Sequence, residues 1–213
     1  MIPAYDETYI EKGRIALGRM LDYAVYDLGY NLASFYSLFL SSGTAGRFGR
    51  GDCRLLAGMS GVELAWEVLD TSGIRHERKE PRFTASRSPE YWTGWALAWY
   101  QWYSSLSFEE IERAVPILSI QGLYEPYHEM DILQFRDRMD ELYRAALPET
   151  SLKRLRRYAG LSQRQLAEYS GVPVRTIQQY EQRQKDINKA QAEYLIRLSR
   201  TLSCDAGELM EWV

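Results

Sequence analysis

Val174, Arg175, Gln178 and Gln179 fall within two turns of the residue that follows Gly171 and Val172, Pro173. Side chains of these types can tell base edges apart. An arginine guanidinium can bond guanine through two donors, a glutamine carboxamide can pair with adenine, and valine methyls can lie against the thymine methyl. Candidates for other chemistry are few. His76 and His128 are the only histidines, and although Glu129 and Asp131 follow His128, no second ligand stands at zinc spacing. Both are expected to be surface or helix-start histidines. No Ser-His-Asp, Cys-His or paired-carboxylate spacing occurs, and Glu109, Glu110 and Glu112 lie where a helix dipole favours acids without any catalysis. The sequence predicts no enzyme, no metal and no cofactor.

Three further features invite a functional reading and have a plainer one. Gly43, Gly46, Gly49 and Gly51 crowd together with Arg47, Arg50 and Arg54, but the segment lacks the Lys-Ser/Thr ending of a phosphate loop. It is too rich in glycine for a stable helix and is expected to be a solvated, mobile loop. Arg50-Gly51-Asp52 is a chance tripeptide. Trp92, Trp95, Trp99 and Trp102 share one helical face, and aromatic side chains at that spacing are expected to fill the core, with any excess available to a dimer or partner surface.

The elements that must position these residues read as helices throughout. Val, Ile and Thr number 7, 11 and 8 against 25 Leu and 18 Ala, a balance that suits helices better than pleated sheets. From Thr8 to Ser41 apolar residues recur at spacings of three, four and seven, with Gly13, Gly18 and Gly29 as potential breaks. Ser60 with Glu63 and Ser107 with Glu110 form capping-box patterns, and Ser88-Pro89-Glu90 is a strong helix start. Ile74 to Ser86 reads as an exposed connection, Ser119 to Leu123 as a short helical turn, and His128 to Leu147 as the last long helix before Pro148.

Charge divides at the same place. Residues 1–150 hold 15 Lys+Arg and 22 Asp+Glu, whereas residues 151–213 hold 11 and 7, so a basic module follows an acidic body, the footprint of nucleic-acid contact. The expected organisation is all-α: an acidic helical partner, sensor or dimerisation domain over 1–147, a hinge at 148–150, and a second domain over 151–213. Cys53 and Cys204 support no disulfide framework, no run reaches the ~20 apolar residues of a membrane span, and the start of the chain lacks a signal pattern. A cytoplasmic protein is expected.

Each position from Leu161 to Glu181 has a mechanical reason. Ser162 and Gln165 cap one helix, Leu166 is core, Ala167 leaves room for a crossing helix, and Gly171 supplies a left-handed turn. Val172, Ile177 and Tyr180 then face inward, leaving the first turns of the second helix outward. The segment from Ser151 to about Glu211 resembles the Xre/Cro type of lambda-repressor-like helix-turn-helix domain, with helices over Leu152 to Ala159, Lys189 to Leu202 and Asp205 to Glu211 completing the family's five. The resemblance implies that Val174, Arg175 and Gln179 read bases, with Gln178 at the edge of that set. It also implies that Ser162, Gln163, Arg164 and Lys185 contact phosphate. Two positions depart from the pattern: Gln182-Arg183-Gln184 stands where the family usually turns through Gly, and Pro173 stands where a hydroxyl often caps.

Two functions follow from the resemblance. One is a sequence-specific transcriptional regulator, a repressor, bound to a double-stranded operator as a homodimer. The other is an antitoxin whose first domain neutralises a toxin while the second represses its own operon. Ala57 to Ala65 and Ser88 to Ala96 are similar to bacterial regulators of that two-part arrangement.

Overall fold

Glycines and capping side chains punctuate the chain into the elements seen in a computed structural model, which describes residues 3–82 and 86–211. Two compact units result, residues 1–145 and 146–213. All regular structure among the described residues is helical.

In the first unit the apolar stripe from Thr8 divides into two helices. α1 (Ile10–Tyr26) ends before Gly29, whose positive φ turns the chain, and Asn31 caps α2 (Leu32–Ser41) through its side-chain oxygen. Gly13 and Gly18 do not break α1; they let other segments of the chain approach it. A Cβ on Gly18 would stand 2.7 Å from the Tyr91 carbonyl oxygen, and one on Gly94 would stand 2.6 Å from that of Leu17. Helices cross this closely only where side chains are missing, so the two glycines fix the crossing of α1 with the tryptophan-bearing helix.

The glycine-rich segment is not the expected mobile loop. Gly43 in the left-handed region opens α3 (Thr44–Gly49), whose Thr44, Ala45 and Phe48 are buried. Burial of Phe48 against Phe39 and Phe108 outweighs the low helix propensity of two glycines. Asp52 caps α4 (Cys53–Ala57), and Arg47 pairs with Asp52 and Glu67, so its charge is spent on structure. Ser60 and Glu63 close a reciprocal cap on α5 (Gly61–Thr71).

The connection that follows is exposed through most of 75–82, with residues 83–85 of the expected stretch outside the described part. It is nevertheless pinned to α1: the Tyr23 hydroxyl donates to the Lys79 carbonyl at 2.6 Å, and the Arg82 N–H donates to Asp27 at 2.8 Å. Ser88 caps α6 (Pro89–Ser104). Of the four indoles expected in the core, Trp92 alone is buried, between Tyr124 and Phe135. Trp95, Trp99 and Trp102 are half-buried, while Ala96, Leu97, Tyr100 and Gln101 are enclosed. The helix is sandwiched so widely that its one solvent-reaching strip coincides with the tryptophan face. The Arg14 guanidinium lies over Trp95 at 3.3 Å from the ring centroid, and Trp99 stacks on Tyr103.

Ser107 and Glu110 cap α7 (Phe108–Ala114). Glu112 lies beyond that first turn and accepts the Ile117 N–H at the start of α8 (Ile117–Gln121), which places the expected turn two residues early. A short turn, α9 (Tyr124–Tyr127), precedes α10 (Ile132–Ala146), so the last helix of this unit starts four residues after His128. His128 instead stacks on Tyr124 and bonds its carbonyl, and the His76 side chain is nine-tenths covered, with Nδ1 3.2 Å from the Ile74 oxygen. Neither histidine opens a helix. No group of three or more metal-ligating side chains occurs among the described residues, and no helix there is long and apolar enough to cross a membrane.

The second unit has its own core, formed by Leu152, Leu166, Val172, Ile177, Tyr180, Ile187, Leu198, Leu202 and Leu209. Buried Thr150 caps α11 (Ser151–Tyr158). α12 (Gln163–Ser170), α13 (Val174–Glu181) and α14 (Ala192–Leu202) follow, with single 3-10 turns at Ile187–Lys189 and Ala206–Leu209. The fifth helix is therefore a 3-10 turn, and the fourth begins at 192 because Ala190 and Gln191 take extended backbone after the short turn that Asp186 caps.

Candidate nucleic-acid interface

The angle between α12 and α13 is set by a three-residue connection. Ser162 accepts the Gln165 N–H while the Gln165 carboxamide accepts that of Ser162, starting α12 with both donors satisfied. Gly171, at φ 66°, ends it. An L side chain there would be strained, and its Cβ would meet the Arg197 guanidinium at 3.0 Å. Pro173 precedes α13 with no side-chain cap, but its fixed φ already suits a helix entry. Val172 and Ile177 are enclosed on either side of this entry, so the first turn of α13 points outward.

A polar relay joins the last turn of α13 to α11 and to the start of α12. Arg156 of α11 donates to both carboxylate oxygens of Glu181, at 2.6 and 2.9 Å, and its third group reaches the Leu161 carbonyl at 2.7 Å. The two side chains are 11% and 2% exposed, so the pair lies in a low-dielectric setting where each ion needs the other. Hydrogen bonding to Glu181 raises the Arg156 pKa, keeping it charged. The same carboxylate accepts the Gln163 amide at 2.7 Å, and the Gln163 oxygen meets the Gln178 amide at 3.5 Å. The carboxamides at the start of α12 and on α13 are thus held from below. Sequence reasoning did not find Arg156 and Glu181. The signal was present: each follows apolar residues at core spacing, Leu152 and Leu155 in one helix, Ile177 and Tyr180 in the other, so two opposite charges stand where burial was due.

Val174, Arg175 and Gln178 are exposed and Gln179 is half-buried. The Gln179 carbonyl accepts the N–H groups of Gln184 and Lys185. Ser162 and Arg164 are exposed, Gln163 is half-buried, and Lys185 is exposed in the loop after α13. Among the described residues, Lys153, Arg156, Arg157, Arg183, Lys189 and Arg197 form ion pairs, whereas Arg154, Arg164, Arg175, Lys185 and Arg200 form none. Arg164, Arg175 and Lys185 occupy the first turn of α12, the first turn of α13 and the loop beyond it. The Gln163–Gln178 contact joins the first two, and the backbone bond from Lys185 to Gln179 ties in the third. Three uncompensated cations and an amide pair on adjoining elements make an arrangement suited to phosphate and base-edge contact.

In the first unit an open depression lined by Asp70, Gly73, Ile74, Arg75, His76 and Arg78 offers a second polar surface. Asp70 already pairs with Arg78 there and lies 3.7 Å from His76.

Residues 152–209 match the family described as Helix-turn-helix. The match supports an Xre or lambda-repressor-like domain of the kind found in DNA-binding transcription regulators, and residues 1–151 lie outside it. No curated protein and no solved structure matches the chain.

Proposed function

We propose that this chain, whose C-terminal domain is an Xre-type helix-turn-helix, is a sequence-specific repressor that lays α13 in the major groove of an operator. Val174, Arg175 and Gln179 read base edges, with Gln178 beside them, while Ser162, Gln163, Arg164 and Lys185 hold the phosphates. One observation carries the reading: the cations on the start of α12, the start of α13 and the following loop have no counter-ion among the described residues, while six others in the domain do. A homodimer acting in the cytoplasm would set two copies of α13 about 34 Å apart along one side of the DNA. Selection of bound duplexes from a random pool tests this. Replacing Arg175 or Gln179 with Ala should cost about 1–3 kcal/mol on the selected site and little on random DNA. Equal losses on both duplexes would refute base reading.

The antitoxin reading has one observation in its favour: Trp95, Trp99 and Trp102 on α6 are only partly covered, large aromatic side chains of the kind that anchor protein interfaces. On this reading the first domain restrains a toxin encoded beside the gene. The neighbouring product should copurify with the full chain and be lost from the Trp99→Ser variant. Retention by that variant, or no copurification at all, would remove the basis for a toxin partner.

A further inference from the structure

The turn after α13 has an unusual composition for its geometry. The Arg183 N–H bonds the Tyr180 carbonyl, the Gln184 N–H bonds that of Gln179, and Arg183 takes a φ of 52°. This is the two-bond helix ending that usually places glycine at the left-handed position. An arginine there is strained by its Cβ and needs something to hold it. The structure supplies a clasp. Arg183 Nε donates to Glu211 at 2.8 Å, the other Glu211 oxygen accepts the Ser151 N–H at 3.2 Å, and both side chains are mostly covered. Asn188, at the far end of the same loop, pairs twice with the Glu211 backbone, at 2.6 and 2.9 Å. The loop is therefore fastened on both sides of Lys185, whose own ammonium has no partner among the described residues.

We infer that Glu211 is a positioning residue for DNA binding: through Arg183 it holds the turn that aims Lys185 at the phosphate backbone and closes α13 on the Gln179 carbonyl. The inference rests on the proposed phosphate contact of Lys185. Without the clasp, an arginine in the left-handed region relaxes, the bonds from Gln184 and Lys185 to Gln179 loosen, and the ammonium is no longer presented in one place.

The test uses the full chain, a random-sequence duplex and a salt series, with helix content checked for every variant. Glu211→Ala and Arg183→Met should each weaken binding about five- to tenfold and lower the logarithmic salt slope by about 0.9, the counterion release of one phosphate. Arg183→Met leaves the Glu211–Ser151 bond available and so guards against a simple folding defect. Because glycine accepts the left-handed conformation unaided, adding Arg183→Gly to Glu211→Ala should restore both affinity and slope. If the double variant stays as weak as Glu211→Ala, or if both single variants bind as the parent does, the inference is overturned. Lys185→Ala separates the two layers: a lowered slope there with silent clasp variants keeps the phosphate contact and removes the clasp's role. A silent Lys185→Ala removes both.

Discussion

Glu181 shows how much a single side chain governs in the helix-turn-helix unit. It neutralises buried Arg156 and also holds Gln163, which in turn meets Gln178. Removing one member of a buried pair strands the other charge, so Glu181→Ala should destabilise the C-terminal domain by about 3–5 kcal/mol. The urea midpoint of that domain's unfolding measures this. Replacing both members, as in Arg156→Met with Glu181→Leu, should recover much of the loss while still disordering the two glutamines. The outward placing of Val174, Arg175 and Gln178 was legible in the sequence, because Val172, Ile177 and Tyr180 mark the inward face beside them. The relay was not, because a charge at a core position declares its purpose only when its partner, 25 residues away, is seen against it.

Among the elements, the legible ones were those specified by neighbouring residues. Ser60, Ser107 and Ser162 each close the expected reciprocal cap, because the bonding groups lie within four residues of one another. Elements decided by distant packing were misread. α3 forms around Phe48 although Gly46 and Gly49 argue against a helix, and α6 hides nearly all its faces, which periodicity within the helix could not disclose. The α1–α6 crossing depends on the absence of side chains at Gly18 and Gly94. Gly94→Ala would put a methyl 2.6 Å from the Leu17 carbonyl oxygen, and backbone there cannot yield as a side-chain tip would. It should cost about 1–3 kcal/mol despite alanine's better helix propensity. Thermal unfolding of Gly94→Ala beside Gly122→Ala, whose Cβ would meet only ordinary contacts at 3.4 Å and beyond, checks this. A Gly94→Ala variant as stable as the parent would refute the crowding argument.

The molecule as a whole is two bodies with different charge and separate cores. The change near residue 150 from 22 acids against 15 bases to 7 against 11 can be read without a fold, since net charge is a sum; the two compact units meet a few residues earlier, at 145–146. The role of the first body was not visible in the same way; its tryptophan strip was read as core, and only the width of the packing around α6 shows which indoles reach water. The cores share no side chain, so cooperative unfolding should be confined within each body. Calorimetry of the full chain should resolve two heat-absorption peaks. Operator DNA at about 100 times its dissociation constant should raise only the C-terminal peak, by the equivalent of about 2.7 kcal/mol. One merged peak that moves as a unit would contradict this.

That separation also bears on how such a protein changes over generations. On the proposed reading, substitutions that retune which operator is bound would fall on α12 and α13, whose buried side chains belong to a different core from those of α6. If the reading holds, operator preference and the business of the first body would drift, or be exchanged between lineages, as separate cassettes.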